Sequence, residues 1–240
     1  MLDLLAPRRR RGTEFLDAPD IDARVVRRSL SDVARSNTLF GGTRAVLAEL
    51  APELERMSEG GGRGRRATLL DVGTGLGDIP ARARQRASRA GVSLATFGVE
   101  GNEALAQAAR GAELPMMRAD ARRLPLGDGS VDIAMCSQLL HHFEGNDAMA
   151  LLGELDRVAR VRVIVSDLHR SWLAAAGLWV ASFPLGFHPI SRHDGVVSVL
   201  RGFTAGELKE LVRAAVGAEA DVRYRPGFRA TASWTPTRRA

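Results

Sequence analysis

The sequence predicts an α/β protein built on a mostly parallel sheet with helices on both faces. Three observations predict it. Apolar strand candidates alternate with helix-like segments from Ala67 onward, a glycine-rich loop follows the first strand, and two adjacent strand candidates close the chain.

The first strand and its loop are LLDVGTGLGDIP, Leu69 to Pro80. Leu69, Leu70 and Val72 supply the continuous apolar character of a strand covered on both faces. Gly73, Gly75 and Gly77 permit backbone angles that other residues resist, and they let a ligand approach the main chain. Asp78 reads as the cap of the next helix and Pro80 suits its first turn. That helix is expected to run to about Arg89, with Gly91 as its stop. Strand, loop and helix N-terminus together present free amides, the arrangement of a nucleotide-type site.

Glycine spacing narrows the ligand. A dinucleotide fingerprint has a glycine or alanine three residues beyond its second glycine, so that a pyrophosphate can lie on the helix. Asp78 stands there, and its carboxylate repels a pyrophosphate. DVGTGLGD, with Asp71 just before the loop, resembles motif I of the class I S-adenosylmethionine-dependent methyltransferases. GDIP is similar to the motif I of ubiquinone- and menaquinone-biosynthesis enzymes of that class. The resemblance implies a Rossmann-like seven-stranded, mostly parallel sheet whose last strand is antiparallel. It also implies S-adenosyl-L-methionine as cofactor, held by Asp71, Gly73, Thr74, Gly75, Gly77 and Asp78.

Later segments fall in register with that family. VSLATFGVE, residues 92–100, reads as a second strand ending in Glu100, where an acid can accept both ribose hydroxyls. A short helix is expected from Asn102 to about Arg110. PMMRAD, residues 115–120, is a third strand whose Asp120 the resemblance places near the adenine amino group, with Ala121 beside it. The turn GDGS leads into VDIAMC, the fourth strand, and Ser137 after it joins the expected cofactor contacts. Cys136, Ser137, Gln138 and Leu139 replace the acid-or-asparagine, Pro-Pro-aromatic pattern of enzymes that methylate exocyclic base or glutamine nitrogens.

Punctuation gives the organisation. Residues 20–36 and 43–57 read as helices, capped by Asp20 and Thr43 and joined by a bend in SNTLFGG, residues 36–42. SEGGGRGRR, residues 58–66, reads as a flexible joint. Residues 1–66 are thus expected to be a tail and an N-terminal helical cap, and residues 67–240 the cofactor-binding core. A helix from about Asn146 to Ala159 precedes a fifth strand ending at Asp167, and a lid insertion spans 169–199. Thr204 starts a further helix, and ADVRYR and FRATASW form the final strand pair.

Composition removes other classes. At 240 residues, 45% hydrophobic and 26% charged, the chain reads as a globular protein with a sizeable core. The net charge is +6, but Lys209 is the only lysine and the arginines are spread along the chain. Aromatics at 5% are too few for a base-stacking platform, so no nucleic-acid partner is expected. The run Arg8 to Arg11 is expected to be a disordered tail. A single cysteine, Cys136, excludes an internal disulfide and supplies no paired metal ligands, so no metal is expected and a cytoplasmic setting is the simplest. MLDLLAPRRRRG lacks the order of a secretion signal. Trp172 to Phe187 is largely apolar yet too short for a bilayer span, so it reads as a lid or buried helix, with interfacial membrane contact rather than stable insertion as the alternative. A homo-oligomer is left open.

Transfer of a sulfonium-activated methyl group mainly requires alignment and exclusion of water, and a phenol acceptor also has to lose a proton. All five histidines lie between residues 141 and 193, and His193, His142 and His141 are the candidates for that base. Trp172, Trp179, Phe183 and Phe187 are candidates for lining an acceptor pocket. The expected reaction is methylation of an oxygen, with carbon second, of a small aromatic, polyketide- or quinone-like acceptor. The alternative is a binding protein that keeps the cofactor without catalysis.

Overall fold

The computed structural model describes residues 6–10, 12–18, 21–61, 65–101 and 114–237. Seven strands form one sheet in the order β3-β2-β1-β4-β5-β7-β6: β1 Arg66–Val72, β2 Ser93–Glu100, β3 Met116–Arg118, β4 Val131–Ser137, β5 Ala159–Leu168, β6 Asp221–Arg225 and β7 Arg229–Trp234. The first five are parallel, and β7 runs antiparallel to both β5 and β6. This is the mostly parallel, Rossmann-like sheet that the sequence predicts.

Helices cover both faces because the central strands are apolar on both. In β4, Ile133 and Met135 pack toward α2 (Gly42–Gly61) and α3 (Asp78–Arg89), against Leu50, Leu54, Ile79 and Ala83. Ala134 and Cys136 face the other way, toward α4 (Gly145–Val158) and α7 (Ala205–Val216), among Leu151, Leu155, Leu208 and Val212. The alternation is the period of two that a pleated strand imposes. At the antiparallel edge Trp234 is buried and donates from Nε1 to Asp156 at 2.8 Å. Thr204 and Glu207 form a reciprocal capping box at the start of α7.

The remaining helices sit over one end of the sheet. α1 (Ala23–Leu39), α5 (Trp172–Ser182) and α6 (Pro189–Arg201) pack together with a 3-10 turn at Phe15–Asp17. Asp194 on α6 accepts the Phe15 and Leu16 amides at 2.9 and 3.0 Å, and Ser191 bonds to both Ser29 and Asp32 of α1. Buried carboxylates thus fix the N-terminal segment onto the insertion.

Several local expectations are corrected. α1 is capped by Asp22, whose side chain accepts from the Arg24 and Val25 amides, while Asp20 lies outside the described residues. Thr43 lies inside α2, its hydroxyl buried without a hydrogen-bond partner, so it is not the cap. α2 continues through Ser58 to Gly61, into the expected joint, of which 62–64 fall outside the described residues. Gly77, with φ of 72°, takes the cap position of α3, and Asp78 is the first helical residue. The expected helix at 102–110 lies outside the described residues.

The arginine run is not a loose tail. Arg9 Nε donates to the Arg201 carbonyl at 2.7 Å, and its guanidinium lies 4.2 Å from the Phe203 ring centre. Arg10 stacks over Trp172 at 4.8 Å, whereas Arg11 lies outside the described residues. Orphan carbonyls and aromatic faces hold these guanidiniums where composition alone suggests disorder. Among the described residues no helix is long and apolar enough to cross a membrane.

Candidate active site

Asp71 sits one residue before the end of β1 and is 2% exposed. Its Oδ2 accepts from Thr74 Oγ1 at 2.9 Å, while Oδ1 is buried without a partner. Burial pushes this carboxyl up to about 8, with Asp78 and Glu100 adding to the rise and the Thr74 bond opposing it. The loop turns through Gly73 and Gly75 at φ of 74° and 51°, and the Gly73 amide donates to the Val99 carbonyl at 2.8 Å. This bond fixes the loop beside the end of β2.

Glu100 ends β2, buried, with Oε1 accepting the Gly101 amide at 3.0 Å. Ser137 ends β4 with its hydroxyl buried and unpartnered. Asp120 and Ala121 follow β3; Asp120 is exposed and paired with Arg122 at 2.9 Å, which holds its carboxyl below the usual range. Asp71, Gly73, Thr74, Gly75, Asp78, Glu100, Asp120, Ala121 and Ser137 all line one cleft of about 740 Å³. Of the expected cofactor residues only Gly77, at the cap position of α3, does not. The cleft lies at the C-terminal ends of the parallel strands, where open α/β sheets bind ligands.

Three residues that sequence reading missed complete this cleft. Asn37 of α1 donates to Asp78 Oδ2 at 3.2 Å and accepts from Gln138 Nε2, tying the helical cap to the glycine loop and to the segment after β4. Glu14, 4% exposed, is the third. The only sequence signal for Asn37 and Gln138 was their position in segments expected near the site. None pointed to Glu14.

A second cavity of about 340 Å³ opens beside the first, lined by Leu168, Ala174, Gly177, Leu178, Phe187 and Arg229 among others. Glu14, Leu16, Val33, Gln138 and Ser198 border both cavities. Among the described residues Arg229 is the only cation lining the second. It is 2% exposed, its Nη1 has no hydrogen-bond partner, and Nε reaches only the Phe40 carbonyl at 3.4 Å. Burial lowers its pKa to about 10, against the attraction of Asp167.

His141 and His142 follow β4 in a short 3-10 turn and line the larger cleft. His141 is buried with Nδ1 2.7 Å from Asp167 Oδ1. Its Nε2 lies 3.6 Å from Glu14 Oε1, and His142 Nε2 lies 3.8 Å from Glu14 Oε2. Burial alone lowers the His141 pKa, but Asp167 and then Glu14 outweigh it and raise it to about 9. The same contacts work on Glu14: burial favours its protonated form, yet the two histidines and Ser198 hold it below the usual range.

His193 is elsewhere. Its side chain is 46% exposed, bonds to Asp194 at 2.8 Å, packs on Phe15 and lines neither cavity. Of the four aromatic candidates only Phe187 lines the second cavity; Trp172, Trp179 and Phe183 lie exposed on the outer side of the insertion. α5 is apolar all round, so composition could not tell its inner face from its outer one.

The residues present fit a ligand with an ammonium and a ribose. Asp71 offers the buried, half-satisfied carboxylate for the first, and Glu100 the acid for the second. The family described as Methyltransferase domain matches residues 70–165, from β1 into β5. Residues 70–165 are thus the S-adenosylmethionine-dependent methyltransferase domain of an enzyme. The enzyme shares its fold with a SAM-dependent methyltransferase from Aquifex aeolicus, at 15% identity and TM-score 0.56 over 91% of this chain and 100% of that one. Human N-acetylserotonin methyltransferase in complex with SAM superimposes with TM-score 0.60 at 11% identity, over 90% of this chain and 56% of that one. An O-methyltransferase family protein from Burkholderia thailandensis gives 0.50 at 19% identity, over 81% and 58%. No curated protein matches the sequence.

Proposed function

We propose that this methyltransferase methylates an oxygen, with carbon as the second choice, of a small aromatic or polyketide/quinone-like acceptor held in the second cavity. The observation that carries the reading is the shared wall: an apolar cavity meets the cofactor cleft at Glu14 and Gln138. Bound S-adenosylmethionine supplies an electrophilic methyl group, and the protein's task is to align an acceptor with it and keep water out. Apolar walls at Leu168, Leu178 and Phe187 suit a flat ring. Arg229, buried and short of partners, suits an acceptor with a carbonyl or carboxylate oxygen, which favours the oxygen-rich members of this class over a plain phenol.

The cluster of Glu14, His141 and His142 lines the cofactor cleft and Glu14 also borders the second cavity, which supports a part for it beside the acceptor hydroxyl, with Asp167 fixing the His141 ring. In that reaction the acceptor oxygen bonds to the methyl carbon while the carbon–sulfur bond breaks with its electron pair left on sulfur. The hydroxyl proton is lost beside this cluster and passes to solvent, since His141 already holds its own proton near neutral pH. The test is a panel of phenols, quinols and β-diketones, with and without a neighbouring carbonyl, together with primary and secondary amines, run with donor labelled in its methyl group. Methoxy products, formed fastest from the carbonyl-bearing members and less selectively by Arg229→Met, support the reading. Label appearing only on nitrogen acceptors, or on none of the panel by an enzyme that binds S-adenosylhomocysteine, overturns it.

A further inference from the structure

The sequence shows no metal-ligand spacing, yet the fold gathers one set of ligands. Glu14, His141 and His142 each turn a donor atom into a common space, all within 4.8 Å of one another. We propose that these three side chains form a binding site for a divalent transition-metal ion, zinc being the best match, with an open position toward the acceptor. The role given to the ion rests on the oxygen-acceptor reading above; the site itself does not.

Two nitrogens and one carboxylate are the ligand set of catalytic zinc sites, which keep a further position for water or substrate. Ligand atoms about 2.0–2.1 Å from a tetrahedral zinc lie roughly 3.3 Å from each other. The His142 Nε2 to Glu14 Oε2 separation, 3.8 Å, needs only about 0.5 Å of contraction, and His141 Nε2 lies 3.6 Å from the other oxygen of the same carboxylate.

Two further observations point the same way. His141 Nε2 is buried and has no hydrogen-bond partner, although the ring is otherwise fully engaged. Asp167 accepts from Nδ1 at 2.7 Å and from the His141 amide at 3.0 Å, so the ring is oriented by the carboxylate–histidine arrangement typical of metal ligands, with Nε2 as the outward donor. Ser198 and Arg201 contact Glu14 Oε1 at 2.8 and 3.3 Å, which leaves Oε2, the oxygen nearer His142, as the fitting ligand atom. Arg201 also donates to the His141 and His142 carbonyls, so it braces the turn that carries both rings. An ion held there would take the acceptor oxygen as an additional ligand and favour its ionised form, the proton passing to solvent.

The site is tested by titrating the whole 240-residue chain, first stripped with EDTA, with Zn²⁺ by calorimetry and with Co²⁺ by visible absorption. One ion per chain is expected, with the intense visible bands of low-coordinate Co²⁺. Asp167→Asn should weaken binding roughly 10- to 100-fold, as for the outer partner of a ligating histidine, and Glu14→Gln and His142→Gln more than that. Binding of S-adenosylhomocysteine by each variant checks that the fold persists. Lack of stoichiometric binding by the wild type, or binding unchanged in both ligand variants, overturns the site. Methyl transfer at full rate by the metal-free protein overturns the ion's part in the reaction while leaving the oxygen-acceptor reading intact. Metal binding that follows the variants in an enzyme that methylates no oxygen supports the site and removes that reading alone.

Discussion

Asp167 and His141 form a buried pair joined twice, through the imidazole Nδ1 at 2.7 Å and through the main-chain amide at 3.0 Å. Both residues are at most 2% exposed. Taking one charge from such a pair strands the other in a low-dielectric setting, which costs about 3–5 kcal/mol. Asp167→Asn is therefore expected to lower stability by about that amount in metal-free protein. Denaturant unfolding followed by fluorescence measures it, and a loss no larger than that of an exposed pair such as Arg223→Ala at Asp221 would sink the argument.

The Asp71 carboxyl, raised to about 8 by burial with Asp78 and Glu100 nearby, ties cofactor binding to a proton. In the unfolded chain an aspartate titrates near about 3.9. The folded, cofactor-free protein thus holds a proton that the unfolded chain releases, so this contribution to stability is whole below about pH 4 and is lost as pH rises to about 8. A ligand ammonium favours the carboxylate, so binding at pH 7 should release a proton and binding at pH 9 should not. Calorimetry of S-adenosylhomocysteine in buffers of different ionisation enthalpy counts that proton. Asp71→Asn should abolish the release, weaken binding, and raise the thermal midpoint of the free protein at pH 8 but not at pH 4. Buffer-independent heats at pH 7 would contradict the assignment.

Gly75 separates packing from ligand approach. Its φ of 51° is strained for any other residue, yet an added Cβ would find only Leu30, at 3.7 Å. Gly75→Ala should cost about 1–2 kcal/mol in stability from the left-handed backbone alone. Its larger effect should be on cofactor affinity, because the methyl group enters the lined cleft. Gly73→Ala should be worse for folding, since its Cβ would come within 2.9 Å of Leu139. Thermal denaturation beside S-adenosylhomocysteine binding for both variants tests the contrast; equal losses of stability would refute it.

Much of the lining of the larger cleft was legible because its signals are local. Strand, glycine loop and acid follow one another within a few residues, and Glu100 and Asp120 stand at the ends of the next two strands. The second cavity and the cluster of Glu14 with the histidines were not, because they are assembled by long-range contacts. Glu14 reaches the histidine turn only because Asp194 accepts the Phe15 and Leu16 amides and Ser198 binds its carboxylate. Nothing periodic marks such a residue in an arginine-rich N-terminal segment. His193 drew attention for the polar residues beside it, but on α6 its helical phase turns it toward Phe15 and solvent while Asp194 next to it faces the cavity. Neighbours in a helix point in different directions, so one position decides.

Gly177 offers a test of the second cavity that leaves the first alone. It lies within α5, lines the second cavity but not the larger cleft, and has nothing within 4 Å of where a Cβ would stand. Replacing a mid-helix glycine by alanine should stabilise the fold by up to about 1 kcal/mol through backbone entropy. Leucine keeps most of that gain and extends a branched side chain into the cavity. Gly177→Leu should therefore leave the thermal midpoint and S-adenosylhomocysteine affinity intact while lowering kcat/KM for the acceptor by about 100-fold, as misplacement near a reacting centre does. Gly177→Ala serves as the control with little loss of turnover. Should the leucine variant turn over its best acceptor as fast as the wild type, the acceptor does not sit in this cavity but on the open side of the cleft near Phe143 and Arg122.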